Sequence, residues 1–200
     1  KQVVDEAVQK ARQMPDDNMV SHWMTRLSNE YPSDIGIFGP LLLNLIELKP
    51  GDALFLPAGE LHAYLEGVGM ELMANSDNVL RGGLTSKHID VSELLKVVNF
   101  NPRPVNLLKA VNKNKNESVY ASEAHEFVLS VVCASAGNPY QSSEPRSVEI
   151  LLCTEGTACL IDNGTQELIN IKKGDSAIIP AAVVGYSING DALIYKAAVP

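Results

Sequence analysis

Two hydrophobic periods run along the chain, one near its start and another over most of the remainder. In residues 1–14 apolar side chains recur at helical spacing, among them Val4, Val8 and Ala11, with charged residues between them. Pro15 ends this pattern, and residues able to cap a helix precede a second helical period in MVSHWMTRLSNEY. The pattern therefore predicts a helical hairpin over the first 31 residues.

After Pro32 the pattern changes to short apolar or alternating segments separated by glycine and proline, which is typical of strands and turns. Three strands are expected at residues 35–38, 41–48 and 53–56. From residue 118 onward, further strands are expected in SVYAS, FVLSVVCA, SVEILLCT, ACLIDNG, QELINIK, DSAIIPA, GYSIN and ALIYKAA. A short helix at 91–98, capped by Asp90 or Ser92, is the exception. Many short strands separated by turns predict a mainly β protein built as a sandwich or barrel.

An internal repeat links the two parts of this β region. The stretch LNLIELKPGDALFLPAGELHAY (43–64) aligns with ELINIKKGDSAIIPAAVVGYS (167–187). The aligned pairs, each offset by 123 (174 minus 51), are Gly51 with Gly174, Asp52 with Asp175, and Pro57-Ala58 with Pro180-Ala181. Glycine accepts positive φ, and aspartate can accept hydrogen bonds from turn amides, so the Gly-Asp pair is interpreted as turn structure.

Composition narrows the functional classes. The net charge of −8 disfavours nucleic acid or an anionic membrane as partner, because phosphate binding needs clustered cations. No apolar run is long enough for a membrane span, and no secretory signal pattern is seen near the start. Cys133, Cys153 and Cys159 lie in apolar runs without metal-site spacing and are interpreted as reduced core thiols. A cytoplasmic protein is expected.

Candidate chemistry is concentrated where the two repeats differ. The first copy has His62 where the second has Gly185, so an imidazole at this position is not needed to hold the scaffold. A neutral histidine at the mouth of a small β-barrel is a common zinc or iron ligand, and the alternative is a histidine satisfied by packing. Arg81 lies beside two glycines, which suits a guanidinium that clamps a phosphate or a developing oxyanion.

The segment that contains these residues resembles a known family. The run HAYLEGVGMELMANSDNVLRGGLTSK (62–87) is similar to the signature of type I mannose-6-phosphate isomerase (phosphomannose isomerase), a zinc-dependent cupin family, and the similarity extends ungapped over about residues 34–91. In that family His-Ala-Tyr is followed by Gly and then by Glu-x-Met-Ala-x-Ser-Asp-Asn-x-x-Arg-x-Gly-x-Thr-x-Lys. The resemblance implies cupin or jelly-roll β-sandwiches.

The resemblance also implies roles for individual residues. His62 would be a zinc ligand, and Arg81 would be catalytic or bind the phosphate. Asp77 would assist proton transfer or orient Arg81, while Glu71 and Lys87 would line the substrate pocket. Tyr64 would support the pocket wall.

The domain organisation follows from the same resemblance. Residues 1–31 would be the end of a helical domain, 32–99 the C-terminal part of the catalytic cupin, and 100–200 a C-terminal metal-free jelly roll. The family's remaining zinc ligands, a Gln-x-His pair and a glutamate, have no match here, so the chain is expected to be the C-terminal portion of a longer monomeric enzyme.

The implied reaction interconverts mannose 6-phosphate and fructose 6-phosphate, with one zinc ion as cofactor and a phosphosugar as substrate. Two other interpretations remain open at the level of sequence. One is a cupin module that binds or regulates without catalysis. The other is a different metal-dependent cupin enzyme, such as an iron oxygenase or an epimerase, which His62 by itself would permit.

Overall fold

The structure is a computed structural model that describes residues 2–15, 17–76 and 79–200. The chain divides into two compact units. The first comprises residues 1–48, 56–65 and 77–105, and the second comprises 49–55, 66–76 and 106–200, in each case among the described residues. The three-part division at 1–31, 32–99 and 100–200 stays a prediction. Every helix of the described part is too short or too polar to cross a membrane.

The first unit is mainly helical in its regular structure. Its elements are α1 (Gln2–Ala11), α2 (Met19–Glu30), a 3-10 helix (Ile35–Phe38), α3 (Gly39–Leu42) and α4 (Val91–Val97). The predicted helical hairpin is confirmed. Asn18 caps α2, because its side chain accepts a hydrogen bond of 3.0 Å from the Ser21 amide. The apolar faces of both helices meet in one buried cluster with Ile37.

The strands expected at 35–38 and 41–48 are wrong. The Asp34 side chain caps a 3-10 helix at Ile35–Phe38, and Pro40 stands in the first turn of α3, where its fixed φ favours a helix. Leu43 then returns to an extended conformation, with φ −108° and ψ 167°. The helix expected at 91–98 is confirmed as α4, and the Asp90 side chain caps it through the Glu93 amide at 3.0 Å.

The second unit holds the β-structure. Its strands are β1 (Asp52–Ala53), β2 (Leu108–Lys109), β3 (Val111–Asn112), β4 (Glu117–Tyr120), β5 (Val128–Ala134), β6 (Tyr140–Gln141), β7 (Glu149–Asp162), β8 (Leu168–Lys172), β9 (Ser176–Ile179) and β10 (Tyr186–Ala198). The strand expected at 53–56 is reduced to β1, which pairs with β2. The other strands form one sheet in the order β3-β4-β5-β10-β7-β8, in which β6 also pairs with β10 and β9 with β7.

Two long strands organise this sheet. The sequence predicted separate strands before and after Gly156, and before and after Gly190. Instead, β7 and β10 continue through these glycines and pair antiparallel along their length. Gly156 has φ +75° and Gly190 has φ +127°. A Cβ at Gly156 would lie 1.9 Å from the Asp191 carbonyl oxygen, so the two backbones can approach only because glycine stands there. The glycines therefore mark irregularities within strands rather than turns between strands.

The turn of the internal repeat is the same in both copies. Gly51 has φ +86° and Gly174 has φ +93°. The Asp52 carboxylate accepts a hydrogen bond of 3.0 Å from the Lys49 amide, and the Asp175 carboxylate accepts one of 3.0 Å from the corresponding lysine amide. The interpretation of the Gly-Asp pair as turn structure is confirmed.

The cysteines are free thiols, as expected from their spacing. Cys153 is buried, and burial raises the pKa of its thiol. Cys133 is exposed, so the expectation of a core position is wrong for this residue. Strand alternation explains the difference, since Val132 and Ala134 on either side of it face the core.

A network of buried charges lies inside the second unit. The Lys196 amino group lies 2.7 Å from a Glu117 carboxylate oxygen and 3.2 Å from a Glu149 carboxylate oxygen, and it donates to the Tyr140 hydroxyl at 2.9 Å. The Lys196 side chain is 3% exposed and that of Glu117 1%. The Arg146 guanidinium lies 3.6 Å from the second carboxylate oxygen of Glu149. Buried ions are tolerated only when paired, so this network fixes β4, β6, β7 and β10 relative to one another.

The network predicts a specific acid sensitivity. Burial by itself raises the pKa of the Glu117 carboxyl, but the hydrogen bond and charge of Lys196 outweigh burial and hold that pKa below its usual value. A lowered pKa in the folded state gives stability that is present above the unfolded pKa, about 4.3, and is lost as the pH falls through the folded pKa.

We therefore expect the free energy of unfolding of the chain to fall as the pH drops below about 4.3. The variant Glu117→Gln should have a lower free energy of unfolding at pH 7. In the acid range its free energy of unfolding should also depend less steeply on pH, by up to about 1.4 kcal/mol per pH unit, because the titrating carboxyl is gone. Urea unfolding between pH 7 and pH 2 measures both effects. Glu123→Gln, which changes an exposed glutamate, is the matched control. Equal acid slopes for Glu117→Gln and the unchanged chain would contradict this account.

Candidate functional site

His62 is exposed and lies just after the turn that contains Gly59. Its Nδ1 atom lies 2.9 Å from the carbonyl oxygen of Glu60. A carbonyl oxygen only accepts hydrogen bonds, so this contact favours the ring form with the proton on Nδ1. The lone pair of Nε2 is then free to bind a metal, and a hydrogen bond from the other ring nitrogen to a carbonyl is the usual support of a metal-ligating histidine.

The turn before His62 is fastened to the segment that follows α4. The Asn99 amide donates to the Gly59 carbonyl oxygen at 2.9 Å, and the Arg103 guanidinium pairs with the Glu60 carboxylate at 2.8 Å. Gly59 has φ +86°, and a Cβ there would lie 2.5 Å from the carbonyl oxygen of Val97. The carbonyl oxygen that orients His62 therefore belongs to Glu60, whose side chain pairs with Arg103 and whose preceding residue is held through its backbone.

Tyr64 lies beside His62. Their ring centroids are 6.1 Å apart and the ring planes meet at 64°, an edge-to-face arrangement. The side chain of Tyr64 is 73% exposed. The structure therefore brings these two predicted site residues together on one surface of the first unit.

Arg81 is partly buried in the same unit and precedes Gly82 and Gly83. A Cβ at Gly82 would lie 3.1 Å from the Leu61 side chain, so the residue after Arg81 packs against the residue before His62. The segments that carry the predicted ligand and the predicted guanidinium are thus adjacent.

Lys87 is exposed at the edge of a groove in the first unit. The groove has a volume of about 420 Å³ and is lined by Tyr31, Asp34, Leu84 and Lys87, among others. The Lys87 amide donates to the Thr85 hydroxyl at 3.1 Å, which holds the backbone in a local turn. An ammonium at the rim of an open groove can attract an anionic group.

The two carboxylates of the predicted site are placed differently. Glu71 is exposed and belongs to the second compact unit. Asp77 lies outside the described residues. Within the residues that the structure describes, no cluster of three or more histidine, cysteine, aspartate or glutamate side chains could hold a metal. His62 is therefore a single candidate ligand in this part of the chain.

Three residues at this site were not predicted from the sequence. Glu60 and Arg103 hold the turn before His62, and Asp34 contacts the segment after Arg81. The position of Asp34 two residues before Gly36 is a sequence signal for a local cap, and the structure shows this cap, because the Gly36 amide donates to the Asp34 carboxylate. No sequence pattern indicates the contacts of Arg103 with Glu60 or of Asp34 with Leu84, because they join residues 43 and 50 positions apart (103 minus 60; 84 minus 34).

Comparison with known proteins gives a consistent result. Mannose-6-phosphate isomerase of Escherichia coli (strain K12) is 44% identical over 171 residues, which cover 84% of this chain and 43% of that protein. Mannose-6-phosphate isomerase of Rattus norvegicus is 35% identical over 189 residues, which cover 90% of this chain and 45% of that protein. Over the aligned residues, the chain belongs to the mannose-6-phosphate isomerase family. No protein-family model matches the chain.

Solved structures of this family show the same fold. Mannose 6-phosphate isomerase from Salmonella typhimurium, bound to its substrate fructose 6-phosphate and to zinc, has a TM-score of 0.82 and 34% identity. The match covers 99% of this chain and 49% of that one. The prediction of a mainly β cupin fold with N-terminal helices is therefore confirmed. The chain spans less than half the length of the two relatives from Escherichia coli and Rattus norvegicus.

Structures of the Salmonella typhimurium phosphomannose isomerase also exist for alanine variants. The substituted positions are an arginine, two lysines, a histidine and two glutamates. The arginine lies ten positions after one of the two glutamates. The two lysines, the histidine and the other glutamate all lie at least 130 positions before that first glutamate.

The contact between His62 and Glu60 predicts the tautomer of the imidazole. We expect the neutral ring of His62 to carry its proton on Nδ1, because the Glu60 carbonyl oxygen accepts from that atom. Nitrogen NMR of the labelled chain at alkaline pH measures the tautomer, and the spectrum of His62→Gln assigns the signal. His22, whose ring lies on the exposed side of α2, is the internal comparison. A predominantly Nε2-protonated His62 would contradict the geometry.

Proposed function

We propose that this chain is part of an enzyme that interconverts mannose 6-phosphate and fructose 6-phosphate. The observation that carries the proposal is the adjacency of two segments, one with His62 oriented by Glu60 and the other with Arg81 after a run shared with isomerases. Relatives that bear the isomerase name at 35% to 44% identity support it, as does the Salmonella typhimurium enzyme bound to fructose 6-phosphate and zinc.

The spacing of the substituted positions in the Salmonella typhimurium enzyme supports the choice of residues. Glu71 and Arg81 are ten residues apart, as are a glutamate and the arginine chosen for alanine substitution in that enzyme. Four of the substituted positions in that enzyme precede the same glutamate by 130 or more, and this chain spans less than half the length of its relatives. This supports the proposal that the active site is completed by sequence outside this chain.

Zinc fits this chain in part. His62 would supply one ligand through Nε2, with its tautomer fixed by the Glu60 carbonyl oxygen. A catalytic zinc site needs about three protein ligands, and the remaining ones would come from outside the 200 residues. When bound, zinc would supply Lewis acidity for the sugar oxygens.

The proposed reaction moves a proton between the first two carbons of the open-chain sugar, which builds negative charge on the neighbouring oxygen. A guanidinium held against glycine backbone can offset that charge or hold the phosphate, and we assign this role to Arg81. Lys87, which lines the groove, would attract the phosphate. Glu71 and Tyr64 keep the roles that the family resemblance implies, as residues that line the substrate pocket and support its wall. Asp77 retains its predicted role of moving a proton or orienting Arg81.

The surface of the first unit supports a longer protein. Residues 41–48 include large apolar side chains that are exposed, namely Leu41, Leu42, Leu43, Ile46 and Leu48. A row of exposed large apolar side chains of this kind normally packs against a partner. We propose that these residues pack with sequence present in the relatives and outside this chain. A monomeric, cytoplasmic enzyme remains the prediction for the complete protein.

The two alternatives make different predictions for the complete protein. A binding or regulatory module would bind a phosphosugar without turnover, and another metal-dependent cupin would hold a different metal or act on a different substrate. The relatives are named as isomerases, which favours the proposed isomerase over both the binding module and the other metal-dependent cupin. Metal analysis combined with a coupled aldose-ketose assay distinguishes all three.

In the complete enzyme, Arg81→Ala should lower kcat/KM by about 10²- to 10³-fold, because a preorganised cation at the developing charge is lost. Zinc content should be unchanged, since Arg81 is not a ligand. His62→Ala should instead lower the zinc content. Steady-state kinetics and elemental analysis measure both, with Arg12→Ala, which changes an exposed arginine, as the surface control. An unchanged kcat/KM for Arg81→Ala would refute the role of Arg81.

The 200-residue chain by itself should be inactive and should bind zinc at well below one ion per chain, because one histidine is too few ligands for a tight site. Titration with zinc followed by equilibrium dialysis measures the stoichiometry. One tightly bound zinc per chain that disappears in His62→Ala would contradict this expectation.

A further inference from the structure

The segment that follows Arg81 is held by a carboxylate from a distant part of the chain. One oxygen of Asp34 accepts a hydrogen bond of 2.7 Å from the Gly36 amide, which begins the 3-10 helix. The other oxygen accepts one of 3.0 Å from the Leu84 amide, fifty residues later. Both oxygens of Asp34 are thus occupied by backbone donors, which makes this carboxylate poorly suited to act as a catalytic base.

Close backbone packing makes the second hydrogen bond possible. Gly83 has φ +152°, and a Cβ there would lie 3.0 Å from the Asp34 carboxylate and 3.1 Å from the Gly36 Cα. A Cβ at Gly36 would lie 2.8 Å from the Leu84 side chain. The two glycines therefore let the segments approach until the Leu84 amide reaches Asp34.

Leu84 itself has a backbone conformation that a leucine rarely adopts, with φ +51°. Such a conformation persists only where the surroundings enforce it, and it is common at functional sites. Here the amide is held by Asp34, while the side chain packs against the buried cluster of Val4, Val8, Leu27 and Ile37. Backbone and side chain are fixed by different parts of the first unit.

The residues on either side of this anchor carry the candidate chemistry. Arg81 lies three residues before Leu84, and Lys87 lies three residues after it. Asp34, Leu84 and Lys87 line the same groove. A shift of the anchored turn would therefore displace both cations at once.

We propose that Asp34 is a positioning residue, whose carboxylate holds the turn 82–84 and thereby sets the positions of Arg81 and Lys87 for the phosphosugar. This role rests on the proposed function, because it assumes that these two cations bind or stabilise the substrate. Misplacement of a catalytic group by about 1 Å can cost on the order of 10²-fold in rate.

The variant Asp34→Asn separates local capping from the long-range contact. Asparagine caps a helix about as well as aspartate, so the hydrogen bond from Gly36 can be kept. Its NH₂ group cannot accept a hydrogen bond, so the bond from the Leu84 amide is lost. Asp90→Asn is the matched control, because Asp90 likewise caps a short helix through its side chain.

In the complete enzyme we expect Asp34→Asn to lower kcat/KM by about 10- to 100-fold with unchanged zinc content, while Asp90→Asn stays within about twofold of the unchanged enzyme. Gly83→Ala should give a similar loss, because its Cβ would push the turn away from Asp34. Gly39→Ala, where a Cβ meets nothing within 4 Å, should not. If both Asp34→Asn and Gly83→Ala match their controls, the positioning role is overturned.

A second measurement needs no activity. In the 200-residue chain, amide hydrogen exchange at Leu84 should be about tenfold faster or more in Asp34→Asn than in Asp90→Asn. Unchanged protection of the Leu84 amide would overturn the proposed contact even if the complete enzyme is an isomerase. The two results are independent. If the unchanged complete enzyme has no isomerase activity but the Leu84 amide exchanges faster in Asp34→Asn, the proposed function is refuted and the contact is established.

Discussion

The need to satisfy backbone hydrogen bonds explains how the two compact units are built. In the second unit, strands supply the partners, above all the long antiparallel pair β7 and β10. In the first unit, side-chain oxygens and helices do more of this work, because its 43–48 segment has little regular pairing. Asn18, Asp34 and Asp90 each accept a hydrogen bond from an amide at the start of a helix. Asp34 alone of these three also holds an amide fifty residues away.

This difference also explains how a groove lined by an exposed lysine, Lys87, can keep a defined shape. A loop without strand partners would ordinarily be mobile, but the turn at Leu84 has its amide on a carboxylate and its side chain in a buried cluster. The turn before His62 is held in a similar way, by the Asn99 amide and by the ion pair of Glu60 with Arg103. In both places, glycine allows the close backbone approach and a charged side chain fixes it.

Much of the fold was predictable from local patterns, and the failures have physical causes. The helical hairpin, α4 and the Gly-Asp turns follow from periodicity, capping residues and positive φ, all of which act over a few residues. The continuation of β7 through Gly156 was missed, because a glycine that permits a close approach has the same sequence signal as one that makes a turn. At the site, His62 and Arg81 were predicted from a motif, whereas Asp34 and Arg103 act through contacts that no local pattern records.

The two copies of the repeat show why the scaffold does not dictate the chemistry. The turns at Gly51 and Gly174 have the same conformation and the same aspartate hydrogen bonds. The aligned position after the proline bend nevertheless has different surroundings in each copy. A Cβ at Gly185 would lie 2.9 Å from the Glu144 carboxylate and 3.3 Å from the Asn163 amide nitrogen, so no imidazole fits without rearrangement. His62 is exposed, and its ring is oriented by a carbonyl oxygen. The same turn is therefore compatible with a glycine in one copy and an exposed histidine in the other, so the turn itself does not require the histidine.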